Sequence, residues 1–283
     1  MQRYSIVLEY IGTNYKGSQK QVSKENSNIH VVKTIQGELE DAISTLTKTR
    51  IRTIFSGRTD TGVHALGQVV HFDVEQDLDT GRFINSLNGI LPNDISVRDL
   101  KKVPDTFHAQ KSAIARYYRY TIVNRNQRSA WDRNCLFVRY PLNIERINEA
   151  LKYLVGEHDF TSFKKVKTEN PAKICKMYKC EAVRSGIYNA CGLDGISTKF
   201  DDNYIFIDLI ANRFLYSMVR TIVGTLLYIE KNNLDPNVMK EILELRDKTK
   251  AGSTVSADGL TLIKVIYNNI NGERKWKLIQ RNL

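Results

Sequence analysis

Ile51-Arg52-Thr53-Ile54-Phe55-Ser56-Gly57-Arg58-Thr59-Asp60-Thr61-Gly62-Val63-His64-Ala65-Leu66-Gly67-Gln68-Val69-Val70-His71-Phe72 places a polar, glycine-bounded centre between two apolar flanks. Ile51, Ile54 and Phe55 precede the centre, and Val69, Val70 and Phe72 follow it. The pattern predicts strand, tight turn, strand. Gly57 and Gly62 let the backbone reach positive φ and let a ligand come close. The turn displays one carboxylate, Asp60, with Arg58 two residues before it. An acid shown beside a fixed cation is a candidate nucleophile or base. The plainer alternative is an Asp that hydrogen-bonds its own turn.

Upstream, Tyr4, Ile6, Leu8 and Tyr10 alternate with polar residues and predict a strand over Arg3–Tyr10. Gly12 to about Ile29 reads as a polar loop. Thr34–Thr47 reads as an amphipathic helix with Ile35, Leu39, Ala42, Ile43 and Leu46 on one face. Strands are expected at Arg50–Phe55 and Gln68–Val74. Downstream come a helix over Asp79–Leu91, ended by Pro92, and a strand over Ile95–Val103. Ser112–Asn124 reads as a long strand. Ile114, Arg116, Tyr118, Tyr120 and Ile122 share one of its faces, and Ala115, Tyr117, Arg119 and Thr121 the other. A helix is expected from Asn143 to Val155, and two or three strands over Lys173–Ala211 around a Cys191–Gly195 turn. Phe214–Lys231 reads as a buried helix, Pro236–Leu245 as a shorter one and Leu260–Tyr267 as a closing strand.

This order predicts an α+β fold of two sheet-bearing halves, mostly antiparallel, with helices on the sheets. The halves are expected at 1–105, carrying the Asp60 turn, and 106–283, carrying Tyr118 and Arg220. A cleft between them is the natural place for the Asp60 turn.

The 283 residues carry 42 Lys and Arg against 31 Asp and Glu, a formal charge of +11, which favours a polyanionic partner such as nucleic acid. No apolar run is long enough to span a bilayer, since Phe214–Ile229 is broken by Arg220, and Met1–Ser5 has no signal-peptide core. A cytoplasmic protein is expected. Cys135, Cys175, Cys180 and Cys191 form no Cys-x-x-Cys pair and have no His at zinc-finger spacing, so reduced thiols and no metal site are expected.

Four collinear stretches carry a more specific signal. Gly57–Phe72 resembles the signature of the TruA family of tRNA pseudouridine synthases. Phe107-His108-Ala109 with Arg116-Tyr117-Tyr118-Arg119-Tyr120 resembles that family's basic aromatic strand. Leu154–Phe163 resembles its mid-chain block, and Met218–Gly224 its buried-helix block. The resemblance implies an isomerase that detaches a uridine at N1 and reattaches it through C5, at positions 38, 39 and 40 of the tRNA anticodon arm. It implies Asp60 as the essential acid, Tyr118 as the active-site aromatic and Arg220 as the cation paired with the acid. It also implies a homodimer and no cofactor.

The residue types suit those roles. A cation near a carboxylate favours its ionised form, and the Arg fork binds both carboxylate oxygens. An aromatic face stacks on an extruded base, worth ~1–3 kcal/mol. Arg58 is placed to support the opened strand, while Lys16, Lys20, Arg116, Arg119, Lys164, Lys165 and Lys167 are candidate phosphate contacts. His64 and His71 are expected to be structural. Two departures stand in the N-terminal loop: the family usually has Asp where Ile11 stands and Trp where Ser18 stands, and an insertion follows at about Val22–Val32. The rival readings are a non-catalytic RNA-binding protein or chaperone, a synthase with a different RNA target, and a nucleoside hydrolase or base glycosylase.

Overall fold

A computed structural model of the chain describes residues 1–25, 28–130, 132–165, 173–185 and 203–268. Lys167 and the Cys191–Gly195 turn lie outside the described residues. The elements run β1 (Gln2–Tyr10), β2 (Val22–Glu25), β3 (Asn28–Val31), α1 (Ile35–Thr47), β4 (Ile54–Phe55), β5 (His64–Val74), α2 (Thr80–Ile90) and β6 (Ile95–Val103). They continue with β7 (Ala113–Asn124), β8 (Leu136–Val138), α3 (Ile144–Lys152), β9 (Gly156–Asp159), β10 (Ile174–Ser185) and β11 (Tyr204–Ala211). Helices α4 (Met218–Lys231) and α5 (Val238–Leu245) and strand β12 (Leu260–Tyr267) follow. The fold is α+β with mostly antiparallel pairing, while β12 runs parallel to β5 and β8 parallel to β7.

The chain divides into two compact units, Met1–Ala115 with Thr261 onward, and Arg116–Leu260. In the first, β1 pairs antiparallel with β5 on one side (Ile6↔Val70) and β6 on the other (Ile6↔Leu100). The alternation of β1 puts Tyr4, Ile6, Leu8 and Tyr10 in the core. Short β4 lies against β5, and β12 runs parallel to it, pairing Thr261 with His64 and Leu262 with Ala65. Helix α1 buries Ile35, Leu39, Ala42 and Ile43, and Thr34 caps it by accepting the Gly37 N–H at 3.2 Å. Each such aliphatic side chain contributes about 1.5–3 kcal/mol by leaving water. Asp79 caps α2 in the same way through the Arg82 N–H.

The second unit stacks β7, β11, β10 and β9 antiparallel in that order, with Asp208 of β11 directly opposite Arg119 of β7. Helix α3, capped by Asn143, meets β10, and α3, α4 and α5 meet one another. Helix α4 buries Met218, Val219, Ile222, Val223, Leu226 and Ile229, as its sequence required.

Five local expectations are corrected. Only Ile54–Phe55 of Arg50–Phe55 is strand, because α1 side chains take the backbone of the preceding residues: Ser44 Oγ accepts from Ile51 N (3.0 Å) and Glu40 from Thr53 N (2.8 Å). Strand β5 begins at His64, four residues before the expected Gln68, and its first residues carry the pairing with β12. The loop expected over residues 12–29 holds a 3-10 turn at Gly12–Asn14 and, within the expected insertion, the antiparallel pair β2 and β3, with Val22 opposite Val31. Helix α3 stops at Lys152, and Gly156 at φ +117° turns the chain into β9. Helix α4 starts at Met218 rather than Phe214 because Ser217 stands at φ +60°, outside the helical region.

Candidate active site

In the first unit, Asp60 sits half-buried between Thr59, which is buried, and Thr61, which is exposed. The turn closes by a Val63 N–H bond to the Asp60 carbonyl (3.2 Å), with Gly62 at φ +82°. Arg58 is exposed beside it. The turn is fastened along its length by residues distant in sequence. At its start, Gln68 Nε2 donates to Gly57 O (3.0 Å), and Gln68 Oε1 accepts from the Ser56 hydroxyl. At its centre, Thr59 N donates to Ser18 Oγ (2.9 Å), Ser18 N donates to Thr59 O (3.1 Å), and Thr59 Oγ1 bonds the Tyr10 hydroxyl (2.9 Å).

Two glycines permit this approach. A Cβ on Gly12 would stand 2.0 Å from Val63 O, and one on Gly17, at φ +97°, would stand 3.0 Å from Thr59 O. The segment from Tyr10 to Ser18 thus grips the turn on both sides of Asp60. Its own anchors are Ile11 N to Asp94 O (2.9 Å), the Tyr15 hydroxyl on the Asp94 carboxylate, and Gln36 N to Ser18 O (2.9 Å). Lys16, exposed, lies on this segment next to Gly17. Ile11 is 47% exposed, whereas Ser18 is fully buried. Burial pushes the Tyr10 phenol up to about 12, so it remains a neutral hydroxyl.

Both histidines of the motif are structural in their contacts. His64 is buried and accepts the Gly12 N–H through Nδ1 (3.0 Å). His71 is buried and accepts the Ala109 N–H through Nδ1 (3.1 Å). Burial first, then the charges of Arg3 and His108, lowers the His71 pKa to about 4.

In the second unit, β7 presents Tyr118 and Tyr120 on one face, both buried, with Arg116 part-buried on the same face. Phe214 meets Tyr118 edge to face, ring centres 5.1 Å apart. Arg116 Nη1 donates to Asn212 O (2.8 Å). Arg119 points to the other face, where Asp208 takes its guanidinium in two bonds of 2.7 and 2.8 Å. That guanidinium also bonds the Tyr117 hydroxyl and lies 4.8 Å from the Phe206 ring centre.

Arg220 stands in the first turn of α4, and residues 252–256 run across that helix as a strap. Arg220 Nε donates to Val255 O (2.8 Å), and Val255 N donates back to Arg220 O (3.3 Å). Thr221 bonds Thr254 (3.0 Å), Gly252 N donates to Thr225 Oγ1 (3.0 Å), and Tyr120 donates its hydroxyl to Ser256 O (2.9 Å). The backbones touch: a Cβ on Gly224 would lie 1.7 Å from Ser253 O. The strap therefore ties the Arg220 side chain to the strand that carries Tyr118. Burial raises the Tyr120 pKa, and the nearby Arg220 charge pulls against that rise.

Sequence reasoning noted Ser18 only as a departure from the family and Tyr10 only as a strand residue, and gave no part in the site to either, to Gln68 or to the strap. Gln68 stood inside the quoted motif. The glycines at 12, 17, 224 and 252 were the available sign of close backbone approach, without saying to what.

A family model described as tRNA pseudouridine synthase matches residues 6–110 and 150–268. Among curated relatives, tRNA pseudouridine synthase A of Thermoanaerobacter sp. (strain X514) is 38% identical over 268 residues, covering 94% of this chain and all of the relative. The enzyme of the same description from Anoxybacillus flavithermus is 37% identical over 271 residues, covering 95% of this chain and all of the relative. That from Ehrlichia canis is 38% identical over 267 residues, covering 94% and all, respectively. Among the described residues, no helix is long and apolar enough to cross a membrane.

Proposed function

We infer the details of the chemistry from one premise: the chain belongs to the tRNA pseudouridine synthase family, and is an isomerase that converts uridine to pseudouridine in tRNA. We propose that its targets are uridines 38, 39 and 40 in the anticodon arm, and that it works in the cytoplasm as a homodimer. Asp60 is the catalytic carboxylate in this reading, with Tyr118 and Arg220 acting on the same nucleotide.

The observation that carries the assignment of Asp60 is the fastening of its turn. A half-buried acid stands on a backbone held at Gly57, Thr59 and Val63, whereas an Asp that only closed its own turn would need no such grip. In the reaction the N1–C1′ bond breaks, the uracil turns, and a C5–C1′ bond forms. C5 loses its proton and N1 gains one, so the nucleotide keeps its composition and no co-reactant is required. A uridine within a stem must first leave the stack, at a cost of a few kcal/mol.

In this proposal Tyr118 stacks on the extruded base, held edge-on by Phe214. Arg220 keeps the carboxylate ionised and in one rotamer, for which its fork suits better than a Lys. Its Nε is already oriented by Val255 O, so the guanidinium plane is set before substrate arrives. Lys16, Arg58 and Arg116 contact phosphates. Arg119 contributes by stiffening β7 through Asp208.

The test is tritium release from C5-labelled uridine in unmodified tRNA transcripts, with the product mapped by position and Asp60→Asn run alongside. Release at 38–40 that disappears in the variant is the expected result. Release elsewhere refutes the anticodon-arm assignment, and turnover by Asp60→Asn refutes the role of Asp60.

A further inference from the structure

We propose that Ser18 is a positioning residue for this reaction, fixing Thr59 from both sides of its peptide and, through Thr59, the direction in which Asp60 presents its carboxylate. The proposal rests on the reading of Asp60 as the catalytic acid.

Thr59 has three polar groups, and residues 10–18 take all of them. Its N–H goes to Ser18 Oγ at 2.9 Å, its carbonyl accepts the Ser18 N–H at 3.1 Å, and its hydroxyl meets Tyr10 at 2.9 Å. Ser18 is 0% and Thr59 2% exposed, so water cannot replace any of these bonds. Only the torsions of Asp60 itself separate this clamp from the carboxylate. The peptide after Asp60 is limited as well, by the Val63 N–H on its carbonyl and by Gly12 packed on Val63 O.

Ser18 is not a loose partner. Its carbonyl accepts from Gln36 N (2.9 Å), that of Gly17 from Ile35 N (3.4 Å), and Lys20 N donates to Gln36 Oε1 (2.9 Å). The first turn of α1 therefore backs the clamp, and the direction of Asp60 is referred to a helix rather than to a surface loop. Tyr10 stands on β1 and shares its hydroxyl with Gln68 Nε2 (3.4 Å), so the second arm of the clamp is referred to the sheet. A misplacement of about 1 Å at a reacting group costs on the order of 100-fold in rate. Two arms, one on a helix and one on a sheet, suit a carboxylate that must hold its aim while a base is drawn out and turned.

A purely structural Ser18 would, when altered, lower stability and leave the rate of folded molecules unchanged. A positioning Ser18 lowers the rate at saturating tRNA and leaves tRNA affinity unchanged. The experiment is single-turnover tritium release across tRNA concentrations for Ser18→Ala, Ser18→Thr, Tyr10→Phe and the Ser18→Ala/Tyr10→Phe double variant, with melting curves and filter-binding Kd on the same preparations.

Expected are a loss of about 10-fold or more at saturating tRNA for Ser18→Ala, Kd within about twofold of the parent, and recovery of rate in Ser18→Thr, which keeps the acceptor oxygen. The double variant should lose less than the product of the two single losses, because both act through Thr59. Saturating rates within twofold of the parent in both Ser18→Ala and Tyr10→Phe overturn the proposal, as does a loss confined to KM. If Ser18→Ala does not fold, Tyr10→Phe, which removes one oxygen and keeps the ring, decides by the same criterion. Asp60→Asn separates the two levels. An active Asp60→Asn removes the premise, whereas an inactive one beside unimpaired Ser18→Ala and Tyr10→Phe removes only the positioning role.

Discussion

Replacing Gly224 by Ala sets two effects of opposite sign against each other. In an open helix the substitution stabilises by about 1 kcal/mol, because Gly loses more backbone freedom than Ala. Here the added carbon would stand 1.7 Å from Ser253 O, where about 3.0 Å or more is needed, so the strap must retreat by roughly 1.3 Å. A retreat of that size takes the Val255 N–Arg220 O, Arg220 Nε–Val255 O, Thr221–Thr254 and Gly252 N–Thr225 contacts, now at 2.8–3.3 Å, past hydrogen-bonding distance. At a net of about 1 kcal/mol each, the loss is about 4 kcal/mol and the balance about 3 kcal/mol of destabilisation. Urea unfolding followed by far-ultraviolet circular dichroism should show the midpoint lowered by roughly 1 M. Turnover at a temperature where the variant is still folded should fall as well, since Arg220 loses the acceptor that orients it. A midpoint equal to or above the parent's would refute the reasoning: the strap would then shift without losing its bonds, and helix propensity would decide the sign.

Other outcomes follow from the same contacts. His71 holds a pKa of about 4 in the folded chain against about 6.5 when unfolded, so the unfolded state binds the extra proton first as pH falls. Stability is therefore full above about pH 6.5 and is lost between there and pH 4, up to about 3 kcal/mol; His71→Gln should flatten that part of a plot of Tm against pH. Arg119→Met leaves the Asp208 carboxylate, whose side chain is 18% exposed, without its two guanidinium bonds. It should cost about 1–2 kcal/mol in thermal unfolding while moving the tRNA Kd less than twofold. Removing Lys16 or Arg58 should instead leave Tm unchanged and reduce by about one the slope of log K against log salt in tRNA binding. Arg220→Leu should lower kcat far more than tRNA affinity, and Arg220→Lys should recover only part of it, because an ammonium has no second arm for Val255 O once it faces the substrate.

The long elements were legible because their signals are local. Thr34, Asp79 and Asn143 mark helix starts by capping, and the alternation of Tyr4, Ile6, Leu8 and Tyr10 marks β1. Which side chains share a face of β7 also followed from period two, whereas the burial of Tyr118 and Tyr120 is known from the structure. What failed was set by distant partners. Arg50–Thr53 reads as strand, and its backbone goes to Ser44 and Glu40 instead. The candidate site divides in the same way. Asp60, Tyr118 and Arg220 stood out through the motifs that hold them. The grip of Tyr10 and Ser18 on Thr59 spans more than forty positions, and neither residue has a local pattern that points across that interval. A serine in a polar loop looks like surface; its complete burial is a property of the tertiary structure alone.

Strand β12 sets an order on the making of this molecule. The residues that leave the Asp60 turn, His64 and Ala65, find their parallel neighbours in Thr261 and Leu262. A ribosome adding about 5–20 residues per second delivers those neighbours some tens of seconds or less after the turn has emerged. Through that interval the His64–Ala65 end of one border of β5 waits for its partner, while β4 already holds the same border at Val70 and His71, and an unpaired stretch of border is a template for wrong partners. The first unit is thus begun before the second is made and completed only after it. A nascent chain that has not yet reached Thr261 carries the whole Gly57–Phe72 motif without the strand that pairs beside its exit, so the sheet bearing the motif is completed only after the second unit has been made.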